Sequence, residues 1–222
     1  MDESSGPGGH QGPSLSSAAE DYLKAIFELG GSDVGTVELA GLLEVSPASV
    51  TGMLRRLAGL RLVEYERYRG ASLTPAGRMV ALETIRHHRL LETYLKEALG
   101  YSWYAVHDEA EKLEHHISEE FEDRIAEALG HPSHDPHGDP IPDREGQVPA
   151  VSGRPLAELP PGEYVLTRIA RLPVDTLIWL DGLGVRPGVR IVLRGVSEDG
   201  RVVAEGFELE PDVAAKIMAE AG

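Results

Sequence analysis

Apolar positions recur at helical spacing through the first 130 residues and at alternating spacing after residue 160. In SSAAEDYLKAIFELG, Tyr22, Leu23, Ile26, Phe27 and Leu29 fall on one broad helix face, and Gly30 and Gly31 end it. TVELAGLLE predicts a short second helix with Thr36 as its N-cap. In VSPASVTGMLRRLAGLRLV, Ser46 caps a third helix, Pro47 suits its first turn, and Val50, Met53, Leu54 and Leu57 point inward. RLVEYERYRGASLTPAGRMVA alternates and turns at Gly70, which predicts a β-hairpin, before Thr74 and Pro75 open another helix. Two long amphipathic helices are predicted over residues 75–99 and 105–129, with Leu90, Leu91, Leu95, Leu99 and Trp103 supplying core and dimer contact.

The texture then changes. GHPSHDPHGDPIPDREGQVPAVSGRP, residues 130–155, is dense in Pro, Gly and Asp and reads as an interdomain linker. No fixed scaffold is expected for its His131, His134 and His137, so these should be solvated. EYVLTRIA, VRIVLRGV and RVVAEGFELE predict short strands separated by glycine-containing turns, and PDVAAKIMAE predicts a closing helix. Residues 1–14, rich in Gly, Pro and Ser, are expected to be a disordered tail.

Composition narrows the chemistry. At 41% hydrophobic the chain can bury a core, and with no cysteine it has neither disulfides nor thiolate metal sites nor thiol nucleophiles. The N-terminus lacks the basic start and apolar stretch of a signal peptide, and no apolar run is long enough to span a membrane. A cytoplasmic protein is therefore expected, without a membrane partner or organic cofactor. The net charge of −16 opposes nucleic-acid binding by the chain as a whole. Between Glu44 and Met79, however, six arginines stand against three glutamates, a local balance of +3.

That basic region has the spacing of a helix–turn–helix. Ser46, Pro47, Ala48, Ser49, Thr51 and Gly52 open the second helix with small or hydroxylated side chains that admit close entry to a major groove. Arg55 and Arg56 lie one turn on, within reach of phosphates, and the following hairpin, tipped by Arg67 and Arg69, forms a wing. A three-helix core with a basic face is the plainer reading of the same residues.

VHDEAEKLEHHIS, residues 106–118, is crowded with histidines and carboxylates. At 100° per residue, His107, Glu111, Glu114 and His115 fall within an arc of about 100°, while His116 points the opposite way. One helix earlier, RHHRLLETY places His88 and Glu92 four residues apart on one face, with His87 turned away. Taken singly such pairs are ordinary surface interactions. Two donor-rich faces on successive helices would repel without a cation between them, which favours metal binding. A hydrolase with a His and carboxylate site, or a metal-independent winged-helix regulator, remain as alternatives.

AEDYLKAIFEL, the winged helix, HHRLLETYL, VHDEAEKLEHHIS and PHGDPIP occur in this order over roughly residues 16–145. Together they resemble the metal-dependent repressors of the diphtheria toxin repressor family, including its manganese-responsive branch. The resemblance implies a mainly α protein. It would comprise a winged helix–turn–helix DNA-binding domain (15–80), a helical metal-binding and dimerisation domain (81–142), a linker (143–154) and a small SH3-like β-barrel (155–222). It implies a homodimer that binds operator DNA when loaded with Mn(II) or Fe(II) and represses metal-uptake genes. The matching positions imply a primary site of Asp21, Glu111, Glu114 and His115 and an ancillary site including His88, Glu92 and His107. Further ancillary ligands would come from the SH3-like domain, where Asp175 is put forward without a motif to support it.

Two departures bear on the metal. Iron-type members of that family carry Met and Cys where this chain has Asp21 and Glu111. Oxygen in place of sulfur removes the soft ligands that reward later metals, so Mn(II) is expected first and Fe(II) second. Lys24 stands where the shorter manganese regulators carry a second first-helix carboxylate, which argues against their binuclear cluster.

Overall fold

The computed structural model describes residues 15–222 and divides into two compact units, up to Ala81 and from Leu82 onward. The disordered tail expected over residues 1–14 lies outside the described residues.

The first unit holds α1 (Ser17–Glu28), α2 (Thr36–Leu42), α3 (Pro47–Gly59), the strands β1 (Val63–Glu66) and β2 (Gly70–Leu73), and the start of α4 (Pro75–Glu97). Leu23, Ile26, Leu39, Val50, Leu54 and Leu57 form its fully buried centre. Thr36 is not the N-cap of α2. Gly35 takes that place, and its N–H donates to Glu38 Oε2 at 3.0 Å, so the acidic side chain one turn on satisfies the helix end. Ser46 does cap α3, accepting from Ser49 N–H at 3.1 Å, with Pro47 in the first turn. Thr74 closes the unit: it accepts from Gly77 N–H at 3.1 Å and donates to Arg61 O at 2.8 Å. Gly77 packs so tightly that a Cβ there would stand 1.9 Å from Leu62 O.

The second unit holds most of α4, α5 (His107–Leu113), α6 (Glu119–Ala128), α7 (Val174–Gly182), α8 (Pro211–Ala214) and a six-stranded antiparallel sheet. Its strands are β3 (Arg154–Pro155), β4 (Gly162–Ile169), β5 (Arg190–Val196), β6 (Val202–Ala204), β7 (Phe207–Leu209) and β8 (Ile217–Ala221), in the order β3-β8-β4-β5-β6-β7. Leu90, Leu91, Leu95, Val106, Ala110 and Ile125 make one core between helices. Leu166, Ile169, Leu180, Ile217 and Trp103 belong to a second core under the sheet. Trp103 is fixed there by a 2.7 Å bond from its Nε1–H to Asp181 Oδ1, and Leu99 is exposed.

Three expectations are corrected. The helix expected over 105–129 is two helices. After Leu113 the chain leaves the helix, and Ser118, in extended conformation, caps α6 by accepting from Phe121 N–H at 3.3 Å. The closing helix stops at Ala214. Ile217 and Ala219 alternate inward as β8, an interior strand of the sheet, because their period is two rather than 3.6. The first half of the 130–155 segment is not a solvated linker. On α4, Arg86 donates to Pro142 O at 2.8 Å and Arg89 donates to Pro140 O. Ile141 is buried, and Ile169 N–H of β4 donates to His137 O at 2.8 Å. Gly138, at φ +85°, lets the loop lie against β4; a Cβ there would meet Thr167 O at 2.0 Å. The side chains of α4 and β4 supply the scaffold that composition could not reveal.

Candidate metal centre and nucleic-acid surface

In the second unit, α4 and α5 face each other with their donors inward. His88 Nε2 lies 2.9 Å from Glu92 Oε1 and 3.0 Å from His107 Nδ1, and His107 Nδ1 lies 3.1 Å from the same Glu92 oxygen. Adjacent donors on an ion with bonds of about 2.1 Å stand roughly 3.0 Å apart, so the triangle has the dimensions of one face of a coordination polyhedron. The residues therefore fit a divalent ion. The other ring nitrogen of His88, Nδ1, contacts Glu114 Oε2 and lies 3.5 Å from Glu111 Oε2. Glu114 is almost fully buried, and His115 Nε2 lies 3.4 Å from its Oε1. His116 is exposed. Asp21 is half-buried on α1 of the first unit.

The loop after α6 adds donors that sequence reasoning missed. His137 Nδ1 lies 3.3 Å from Glu92 Oε2, and Glu92, Asp135 and His137 form a further group of ligand-competent atoms. Burial alone would raise the Glu92 carboxyl, but His107, His137 and His88 hold it well below the ordinary range. Burial, followed by the charges of Glu92 and Asp139, pushes Asp135 up to about 8. Burial would lower His137, yet Glu92, Asp135 and Asp139 raise it. The available signal was DPHGD itself, in which Asp135 Oδ1 accepts from the N–H groups of His137 and Asp139 at 2.8 and 2.9 Å. Asp139 in turn accepts from Arg168 Nε of β4 at 2.7 Å. Asp175 is exposed in the first turn of α7 and joins none of the donor groups found among the described residues. Within the linker histidines, His131 and His134 are exposed as expected.

The first unit carries the polar surface expected of a DNA reader. α2 and α3 are separated by a turn in which Glu44 adopts φ +54°. Ser46, Pro47, Ala48, Ser49, Gly52, Arg55 and Arg56 are exposed along α3, and Thr51 is half-buried with its hydroxyl donating to Pro47 O at 3.0 Å. β1 and β2 pair with Val63 opposite Leu73 and Glu66 opposite Gly70, leaving Arg67, Tyr68 and Arg69 at the tip. Arg67 lies over the Tyr68 ring at 4.9 Å, while Arg69 pairs with Glu66 at 3.1 Å. The tip thus presents one arginine stacked on an aromatic ring and one already partly neutralised.

Comparison with known proteins agrees with this layout. Residues 14–71 match the family model for the iron-dependent repressor N-terminal DNA-binding domain. Residues 74–143 match that for the iron-dependent repressor metal-binding and dimerisation domain. The chain belongs to the iron-dependent repressor family, and is a metal-dependent transcriptional repressor of that class. It is 33% identical to the diphtheria toxin repressor of Corynebacterium efficiens over 93% of this chain and 96% of the relative. It is 31% identical to the iron-dependent repressor IdeR of Mycobacterium leprae, over 85% of this chain and 88% of that one. A solved manganese-dependent transcriptional repressor in complex with manganese superposes with a TM-score of 0.83 at 35% identity, covering 92% of this chain and all (100%) of the other.

Proposed function

We propose that this repressor senses Mn(II), with Fe(II) as the second effector, and binds operator DNA as a homodimer to silence metal-uptake genes in the cytoplasm. The observation that carries the reading is Glu114, a carboxylate almost wholly buried against His88 and beside His115. A buried carboxylate gathered with two imidazoles is the mixed oxygen and nitrogen donor set that a divalent ion takes. Asp21, Glu111, Glu114 and His115 form the primary site. His88, Glu92 and His107 form the ancillary one, which His137 and Asp135 complete in place of Asp175. The bound ion supplies a positive centre that carboxylates from the DNA-binding unit and the second unit can share.

The chain's own residues do the rest. Asp21 ties α1 to the acidic turn after α5, so the bound state fixes the separation of two recognition helices at roughly 34 Å, one turn of DNA. Without that tie the carboxylates repel and other arrangements gain population. Ser46 to Gly52 meet base edges, while Arg55, Arg56, Arg67 and Arg69 meet phosphates. The sheet-bearing C-terminal region is read as the SH3-like barrel, supplying the loop and strand contacts that hold His137. The domain limits are those expected from sequence, at 15–80, 81–142 and 155–222. Absence of any cysteine and the carboxylates at 21 and 111 favour Mn(II) over later metals. A gel shift on uptake-gene promoter DNA tests the reading: retardation with Mn(II), reversed by chelator. Equal retardation in chelator throughout would make it a metal-independent regulator.

A further inference from the structure

Two consecutive histidines of α4 hold one residue by its two ends. His88 Nδ1 contacts the Glu114 side chain at Oε2, and His87 Nδ1 lies 3.1 Å from the Glu114 backbone oxygen. Side chains at 87 and 88 stand about 100° apart around the helix, so the pair reaches Glu114 from two directions. Glu114 sits where α5 has just ended: Leu113 is the last helical residue, Glu114 is the C-cap, and the chain turns before Ser118 opens α6. The last carbonyls of an α-helix have no intrahelical donor, and for Glu114 His87 supplies one.

The far side of the His87 ring is anchored. Its Nε2 pairs with Glu122 Oε2 of α6 at 2.9 Å, and Arg86 Nε holds the other Glu122 oxygen, Oε1, at 2.5 Å. Arg86 also donates to Pro142 O at 2.8 Å. His87 and Glu122 are both buried. A carbonyl oxygen and a carboxylate oxygen both accept, so a ring that satisfies both carries a proton on each nitrogen. Burial would lower the His87 imidazole, but Glu122, and then the Glu114 carbonyl, raise it, in keeping with that state. Rotating the ring away from Glu114 O would also break its pair with Glu122.

We infer that His87 is a positioning residue for the proposed primary site: its Nδ1–H, on a ring braced by Glu122 and Arg86, holds the Glu114 backbone so that the Glu114 carboxylate and His115 face the ion. The inference rests on the reading of Glu114 and His115 as primary ligands. His87 gives the ion no atom of its own. Contacts of this outer-shell kind orient the ligands, and their loss typically costs about 10–100-fold in metal affinity.

Amide side chains separate the two ring nitrogens. In His87→Asn the amide nitrogen takes the place of Nδ1 and keeps the bond to Glu114 O, while Glu122 loses its partner. In His87→Gln the longer amide reaches Glu122 and leaves Glu114 O without its donor. Each full-chain variant, checked by circular dichroism, is titrated with Mn(II) by calorimetry, the primary ion being the one that Asp21→Ala protein loses. His87→Gln should bind that ion at least about tenfold more weakly than the parent, and His87→Asn within about threefold of it. Because His87→Asn strands the buried Glu122 carboxylate, chemical denaturation should show it no more stable than His87→Gln. Affinity and stability then fail to follow one another, which a packing role alone would not produce. Glu122→Asp keeps the charge but shortens the brace by one methylene, should weaken the same ion, and decides the matter if the histidine variants do not fold. Equal loss of affinity in His87→Asn and His87→Gln, or parent affinity in Glu122→Asp and every folded His87→Gln preparation, overturns the inference. Asp21→Ala protein that loses no ion overturns the primary site itself, and the inference with it.

Discussion

Glu92 on α4 and His137 in the loop after α6 are joined at 3.3 Å, across 45 residues of sequence. The other Glu92 oxygen faces His88 and His107, so one buried carboxylate gathers two helices and a loop. If the proposed ancillary site includes that loop, replacing His137 removes a donor directly. His137→Ala should weaken binding of the ancillary ion by at least about tenfold. Titration calorimetry with Mn(II) on otherwise unaltered protein reads this out. Unchanged affinity would assign the loop a packing role alone.

The loop is also predicted to depend on its tie to the sheet. Arg168 of β4 reaches Asp139 at 2.7 Å in a half-buried setting, where a charged hydrogen bond contributes about 1.5–3 kcal/mol. Arg168→Ala should lower the stability of the second unit by an amount near the lower end of that range, seen in chemical denaturation without metal. A loss confined to metal affinity, with stability intact, would contradict this.

Acid sensitivity should trace in part to Glu122. Burial would raise its carboxyl, but His87 and Arg86 together hold it below the ordinary range. A carboxyl depressed in the folded state contributes stability above its unfolded value, about 4.3, and that contribution is lost as pH falls through the folded value. In chelator, Glu122→Gln should be less stable than the parent at neutral pH, with the difference shrinking as pH falls below about 5. A gap that widens on acidification would reverse the sign.

DNA affinity should depend on Arg67 through charge rather than sequence. Exposed at the hairpin tip and paired with no carboxylate among the described residues, it is available to phosphate. Arg67→Ala should weaken binding about equally to operator and unrelated DNA and reduce the salt slope by roughly 1. Loss of operator binding alone would place Arg67 against bases instead.

Legibility from sequence followed the range of the interactions. The helix–turn–helix and the hairpin were readable because local periodicity, Ser46 and Gly70 set them, and β4 and β5 because their residues alternate; RVVAEGFELE, read as one stretch, is β6 and β7, turned back on themselves with Ala204 opposite Phe207. Helical spacing put His88 and Glu92 on one face and His107 on another, while the grouping of the three came from the family resemblance; their ligand atoms do lie together. The break at Ser118 was missed because the cap competes with a pattern that reads helical on both sides. IMAEA was read as helix because five residues of alternation are easily absorbed into a preceding helical turn. His137 and Asp135 were passed over because their scaffold comes from Arg86, Arg89 and Arg168, residues that are distant in sequence and whose partners are backbone carbonyls or single carboxylates. His87 was set aside for pointing away from His88, although α6 meets it on that side.

The central claim is that one ion joins Asp21 to Glu111, Glu114 and His115 and so couples metal to DNA. Fluorescence anisotropy of labelled promoter DNA, titrated with Asp21→Ala protein in Mn(II) and again in chelator, tests it most directly. The account predicts a folded dimer whose weak DNA binding is the same in both conditions, while the parent protein binds tightly only with Mn(II). Asp21→Ala protein that still tightened on promoter DNA with Mn(II), to the parent's extent, would contradict it.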